Sequence, residues 1–346
     1  MISHSQIGRL LNVFDGEMQV AESRLWLDPR RKKDLAFVSH AHSDHSARHA
    51  HVIVSRNCLP LYHERMGPVQ ATPLDFGRPF QVEGEGGGPP AKITLLPAGH
   101  ILGSAQILVE RDGLSLLYSG DFKLRACATA EPIEVRRADI LVVESTYGLP
   151  HYRFPSREEV IAQLKRFLDE TVAAQKTPVL LAYSLGKAQE TMRIVSDLGG
   201  EPWVHEKIYR IARIYEQQGV LLGKYHRLAL EGWKSPSRRQ SRPRVVIVPP
   251  HLRNVGVMHI IGPKRVAFLS GFALDKRTAY IYRADAYIPL SDHADFAEWV
   301  EYVRRVNPKI VITTHGPDEA RAYLTKEGFR ALPLRSSGQG VLFDGV

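Results

Sequence analysis

The stretch "SHAHSDHSARHA", residues 39–50, packs four histidines and an aspartate into twelve positions. It continues the apolar run "LAFVSH" (35–40), so the cluster begins where a strand ends. Alternate residues of an extended segment point the same way, so His40 and His42 can grip one cation together. Asp44 and His45 lie just past them, where the chain must turn, and can face a second cation. Imidazole and carboxylate together suit zinc, manganese or iron. A solvated histidine tract would need neither this spacing nor a strand directly before it.

Four more apolar runs end in the same way. "AKITLLPAGH" (91–100) delivers His100 and "LSLLYSGD" (114–121) delivers Asp121. "ADILVVEST" (138–146) carries Glu144, and "PKIVITTHG" (308–316) carries His315. In α/β sheets, sites are built at the C-terminal ends of strands. His100 can complete the first metal shell, Asp121 can bridge both ions, and His315 can complete the second. The spacing therefore predicts two divalent cations.

The remaining segments read as mixed α/β. "QVEGEGGGPP" (81–90) reads as a hairpin loop. "SREEVIAQLKRFLDETVAAQ" (156–175) has helical periodicity and opens with Ser156 and Glu159 at capping-box spacing. "TPVLLAYSLGKAQETMRIVSDL" (177–198) reads as strand, short loop and helix, and "RVVIVPP" (244–250) and "RVAFLSG" (265–271) as further strands.

With 346 residues, 44% apolar and 24% charged, the composition is that of a soluble globular protein. No apolar run approaches the roughly 20 residues that span a bilayer. The N-terminus lacks the pattern of a signal peptide, so a cytoplasmic protein without membrane association is expected. Cys58 and Cys127 form no CxxC pair, and both are expected to be buried small residues. The net charge of +9, dense in "RRKK" (30–33) and "GWKSPSRRQSRPR" (232–244), suits a polyanionic partner.

The HxHxDH of residues 40–45, the Gly-His at 99–100 and the Ser-Gly-Asp at 119–121, in that order, resemble the metal motifs of the metallo-β-lactamase fold. Asp28 in "LWLDP" matches that fold's early aspartate, which orients ligand histidines from behind. "VVESTYG" (142–148), "PLSDHADF" (289–296) and "TTHGP" (313–317) resemble the three additional motifs of the β-CASP nucleases. The resemblance implies an α/β protein: an αββα metallo-β-lactamase sandwich with an inserted β-CASP α/β domain. It divides the chain into residues 1–175, an insert at 176–284, and a returning part at 285–346.

The resemblance also implies a two-metal phosphodiesterase, with ions roughly 4 Å apart activating water and neutralising charge on phosphate oxygens. Asp44 then belongs to the catalytic centre, and His293, held by Glu144, is the general acid for the leaving oxygen. Substrate class stays open at this point. RNA-cutting members usually carry histidine at the last motif, as His315 here. "AYSLGKAQE" (182–190) is similar to a segment of the DNA crosslink-repair nucleases, where Ser184, Gly186 and Lys187 would present a helix N-terminus to phosphate. "CATAEPIEVRRADILVVE" (127–144) and "ESTYGLPHYRFP" (144–155) resemble bacterial DNA exonucleases linked to a DNA ligase and a helicase, compact proteins with a short tail like that after His315. That group implies 5′ to 3′ action on single-stranded DNA in repair, with manganese favoured and zinc as the alternative. Arg153, Arg253 and Arg277 could track the backbone with Lys187. An RNA-processing nuclease is the first alternative. A small-ester metallo-hydrolase and a non-catalytic binding module are opposed by the His293–Glu144 pair and by the complete ligand set.

Overall fold

The computed structural model describes residues 3–229, 243–253 and 256–334. The basic tract at 232–244 lies largely outside the described residues. In chain order the strands begin with β1 (Leu11–Phe14), β2 (Glu17–Val20), β3 (Leu25–Leu27), β4 (Leu35–Phe37), β5 (His51–Ser55) and β6 (Gln70–Leu74). Then come β7 (Pro79–Val82), β8 (Ala91–Pro97), β9 (Ala105–Arg111), β10 (Leu114–Tyr118) and β11 (Ile140–Glu144). A second compact unit holds β12 (Thr177–Leu181), β13 (Glu201–Val204), β14 (His226–Arg227), β15 (Arg244–Val248), β16 (Lys264–Leu269) and β17 (Ala286–Ile288). The chain returns to the first unit with β18 (Ile310–Thr314) and β19 (Ala331–Pro333). Helices longer than one turn are α1 (Leu59–Met66), α2 (Arg157–Ala173), α3 (Lys187–Asp197), α4 (Glu206–Gln217), α5 (Lys276–Tyr282), α6 (Phe296–Val306) and α7 (Asp318–Lys326).

The first unit is built from two sheets, one ordered β1 to β6 in sequence, the other β19-β18-β11-β10-β9-β8-β7. Side chains alternate across each strand, and the alternation assigns the faces. Leu116, Ile140, Val142, Ile310 and Ile312 share one core with Leu11, Val13, Leu25, Leu27 and Phe37 of the other sheet. Their neighbours Leu117, Leu141, Val143 and Val311 point the opposite way and pack with Trp299, Tyr302 and Val303 of α6 and Leu324 of α7. Sheet faces sheet on one side, and helices cover the other. Parallel β10, β11 and β18 are buried on both faces, which explains their unbroken apolar runs. The loop at 81–90 joins antiparallel β7 and β8 as a hairpin.

The second unit carries one parallel sheet, β14-β13-β15-β12-β16-β17, cored by Val179, Leu181, Val246, Val248 and Phe268. Contacts assign residues 127–129 and 152–292 to it. This is wider than the expected insert of 176–284, because α2 packs on β12, β16 and β17 of that sheet. The helix starts with the Ser156–Glu159 capping box, both reciprocal bonds being present. Cys58 is buried, but Cys127 is only partly so and its Sγ contacts Thr129 Oγ1 at 3.2 Å, contrary to the burial expected of both.

Candidate metal centre

Five strand ends of the first unit deliver the polar residues. β4 leads to His40, β8 to His100, β10 to Asp121, β11 ends on Glu144, and His315 follows β18. Parallel alignment of β10, β11 and β18 puts three of these ends on one edge of one sheet. His42 Nδ1 lies 3.0 Å from His40 Nε2 and 3.1 Å from His100 Nε2. Asp121 divides its two oxygens. Oδ2 faces His40 Nε2 at 3.4 Å and His100 Nε2 at 3.8 Å, while Oδ1 faces His45 Nε2 at 3.3 Å. Asp44 Oδ2 lies 3.9 Å from His45 Nε2, and the His315 ring centroid lies 4.6 Å from that of His45. His40, His45, His100 and Asp121 are buried, whereas Asp44 is exposed on its turn. His49, the fourth histidine of the opening stretch, lies outside the cluster and accepts from the Lys33 N–H at 3.2 Å.

Asp28 anchors this centre from behind. Its carboxylate accepts from Ser39 N at 2.7 Å, Ser39 Oγ at 2.5 Å, Tyr118 OH at 2.8 Å and His45 Nδ1 at 2.9 Å. These bonds fix tautomers. With Nδ1 of His45 donating to Asp28, Nε2 is the nitrogen that faces Asp121 and would be the one to ligate a cation. Ser39 Oγ spends its proton on Asp28, so at 3.0 Å it accepts from His40 Nδ1 and leaves His40 Nε2 a bare lone pair. Burial, then the charge on His45, pushes His40 well below the ordinary histidine range, which keeps it a neutral ligand. Burial also lowers His315. Although burial opposes it, His45 and His293 hold the Asp121 carboxyl well below the usual carboxylate range. Asp28 and His315 have φ of +43° and +51°, a left-handed conformation that costs energy in residues other than glycine.

The donor set fits a divalent cation. Ligand atoms of His40, His42, His100 and Asp121 all lie within 4.8 Å of one another. One proton on His42 Nδ1 cannot serve both neighbouring imidazoles. Asp121 Oδ1 is buried and accepts no hydrogen bond among the described residues. A cation resolves both deficits. The other side of Asp121, with His45, Asp44 and His315, offers a looser second set.

Beside the cluster, His293 Nδ1 lies 2.9 Å from Glu144 Oε1, and the His293 ring centroid lies 4.5 Å from that of His100. Glu144 also accepts from Phe122 N at 3.2 Å and from Thr146 N at 3.2 Å, and bonds to the Thr146 hydroxyl. Its backbone carbonyl accepts from Trp299 Nε1 at 2.7 Å. Sequence reasoning missed Ser39, Tyr118, Thr146 and Trp299. Tyr118 is 90 residues from Asp28 and Trp299 is 155 from Glu144, so no local spacing could have signalled either.

In the second unit, Lys187 departs from expectation. It is only 3% exposed and its Nζ is paired with Asp292 rather than presented to solvent. The Gly186 N–H is already taken by Gln189 Oε1 at 2.8 Å, and Ser184 O accepts from Gln189 Nε2 at 3.1 Å. The expected anion site at this helix start is therefore filled by the chain's own groups. Arg153 and Arg277 are exposed, while Arg253 is half-buried with its guanidinium 5.8 Å from the Tyr282 ring.

Residues 283–332 match the family described as the Zn-dependent metallo-hydrolase RNA specificity domain. The chain is 37% identical over 317 residues to a protein of Opitutus terrae named "Probable DNA ligase", covering 91% of this chain and 30% of that one. It is 35% identical over 108 residues to an RNase J-like protein of Methanocaldococcus jannaschii, covering 31% of this chain and 26% of that one. With the 5′ exonuclease Apollo of Gallus gallus it shares 28% over 299 residues, 80% of this chain and 58% of that one. The chain thus spans less than two thirds of each of these relatives. Facing sheets, strand-end histidines, an inserted α/β unit and these likenesses make the chain a member of the β-CASP branch of the metallo-β-lactamase fold family.

Proposed function

We propose that the chain is a metal-dependent phosphodiesterase that cuts nucleic acid, with single-stranded DNA entered from a 5′ end as its preferred substrate. The observation that carries the reading is the His293–Glu144 contact of 2.9 Å standing against the His40–His42–His100–Asp121 cluster. Hydrolysis of a small ester with a good leaving group has no need of such a pair; expulsion of a sugar oxygen does.

His40, His42, His100 and Asp121 would hold one cation, and Asp121, His45, Asp44 and His315 a second; manganese is favoured and zinc is the alternative. Bound divalent cations supply Lewis acidity toward phosphate oxygens and lower the pKa of water. Asp28 and Ser39 keep the Nε2 atoms of His45 and His40 aimed inward. Glu144 fixes His293 through Nδ1, which leaves Nε2 to hand a proton to the leaving oxygen. Buried Asp121, shared between both sides, balances positive charge where a polyanion must approach.

DNA is supported by the 91% of this chain that aligns with a protein named as a DNA ligase, and by the likeness to a protein named as a 5′ exonuclease. The former also supports a functional link to a DNA ligase, and with it a role in repair. The specific observation favouring RNA is His315, within the segment that matches an RNA specificity domain. A digestion time course decides between them. Single-stranded DNA and RNA of one sequence, labelled at the 3′ end, are incubated with manganese and with a chelator control. A chelator-sensitive ladder shortening from the 5′ end of DNA, with RNA spared, is expected. Faster loss of RNA would overturn the DNA reading, and cleavage of neither would overturn both.

A further inference from the structure

The second unit carries a surface on which aromatic rings and unpaired cations are interleaved. Residues 276–283 read "KRTAYIYR". Of α5, only Thr278 is buried; Tyr280 is 77% exposed and Ile281 56%. Four of the ten large apolar side chains exposed among the described residues fall within residues 272–281: Phe272, Leu274, Tyr280 and Ile281. The concentration is local, and several basic side chains stand around it. The Arg283 guanidinium lies 5.9 Å from the Tyr280 ring, and that of Arg253 lies 5.8 Å from the Tyr282 ring. Phe272 stands edge-on to Tyr152 at 6.1 Å, which holds it upright.

Among the described residues, Lys276, Arg277, Arg283 and Arg253 have no carboxylate within ion-pair distance, and Arg253 Nη1 is buried without a hydrogen bond. The two acids nearest in sequence keep their charge but hydrogen-bond to backbone rather than to these side chains. Asp275 Oδ1 accepts from Arg277 N at 2.8 Å and Asp285 Oδ2 from Val266 N at 2.7 Å. Protein-docking faces share the aromatic rings and arginines seen here but are depleted in charge at their centres, whereas here the cations sit among the rings. Single-stranded nucleic acid offers what this face lacks, a flat π surface on every base and a phosphate between each pair.

We infer that the face formed by Phe272, Tyr280, Lys276, Arg277 and Arg283 is a stacking platform for single-stranded nucleic acid, bases lying on the rings and phosphates on the cations. The inference rests on the nucleic-acid reading above and adds to it a place where the strand is held.

The test is fluorescence anisotropy of the full chain with oligothymidylate of increasing length, in chelator so that nothing is cut. Tyr280→Ala should weaken binding of long oligonucleotides about 5- to 100-fold, and Tyr280→Phe should restore it. Arg277→Gln combined with Arg283→Gln should lower the slope of log affinity against log salt by about 1.4. All these side chains are exposed, so unfolding temperatures should match the parent. Parent-like affinity and salt slope in every variant would overturn the platform while leaving the nuclease reading intact. A parent chain that binds no oligonucleotide would overturn the nucleic-acid reading itself. A parent dimer that Tyr280→Ala converts to monomer, with oligonucleotide binding unchanged, would assign the face to a second copy and overturn the proposal.

Discussion

His293 Nδ1 lies 2.9 Å from Glu144 Oε1, although 149 residues separate them in sequence. Glu144 closes β11 and is buried, and His293 opens the segment that returns to the first unit. The carboxylate is held by the Phe122 and Thr146 N–H groups, so it is a fixed abutment against which one imidazole nitrogen is pinned. On the proposed mechanism, the other nitrogen is the one that exchanges a proton with substrate.

His293→Ala should therefore retain its metals and lose turnover by about 10²- to 10⁴-fold, the usual worth of a positioned acid. Glu144→Gln should fall less, because the amide oxygen can still accept from Nδ1 in one orientation. Metal content by elemental analysis, together with single-turnover cleavage of a phosphodiester, checks both. A His293→Ala variant that cuts at the parental rate removes this histidine from the mechanism.

Asp28 accepts four hydrogen bonds, two of which fix tautomers in the metal cluster. Asp28→Asn replaces one acceptor oxygen with a donor that faces Ser39, Tyr118 or His45. Metal affinity should drop about 10- to 100-fold, as for other partners that orient ligand histidines. Competition with a chromophoric chelator measures it. Unchanged affinity would mean that the cluster aims its lone pairs without Asp28.

Much of this site was legible in the chain. HxHxDH after a strand gave the cluster, and the recurring apolar run with a polar end gave His100, Asp121, Glu144 and His315. These signals survive because strand ends are marked locally: the buried apolar run identifies the strand, and the polar residue that follows it marks where the strand stops. Lys187 was misread for the opposite reason. A lysine after Ser-Leu-Gly at a helix start looks like a phosphate contact, and nothing local announces the acid at 292 that buries it. Likewise the limit of the insert at 176 missed α2, whose sheet partners β16 and β17 come about ninety residues or more later in the chain.

The Lys187–Asp292 pair lies within the second unit, both residues buried, with α3 starting at the clasp. Removing one partner strands a buried charge, so Lys187→Met and Asp292→Leu should each destabilise that unit by about 3–5 kcal/mol. The double variant Lys187→Met/Asp292→Leu should recover part of the loss, because the uncompensated charge is gone. Urea unfolding of the three variants measures the coupling. Additive losses would show that the two side chains do not stabilise one another.

Gly120 links Tyr118 and Ser119 to Asp121 at the strand end where the bridging carboxylate is set. Its φ is +52°, and a Cβ placed there would stand 2.7 Å from Ser39 Cβ and 2.9 Å from Ser39 Oγ. Left-handed backbone alone costs a residue with a Cβ about 1–2 kcal/mol. The clash adds to this, since Ser39 is held by two bonds to Asp28 and one to His40 and cannot swing aside cheaply. In Gly120→Ala the strain must therefore go either into Ser39, releasing the tautomer lock on His40, or into Asp121, pulling its oxygens from His40 and His45. Both routes reach the metal centre. Gly120→Ala should lower the unfolding temperature and reduce bound metal together, whereas alanine at Gly113, where a Cβ meets nothing within 4 Å, should reduce stability without touching metal content. Equal metal content in the two variants would break the link drawn here between the glycine's close approach to Ser39 and the geometry of the cluster.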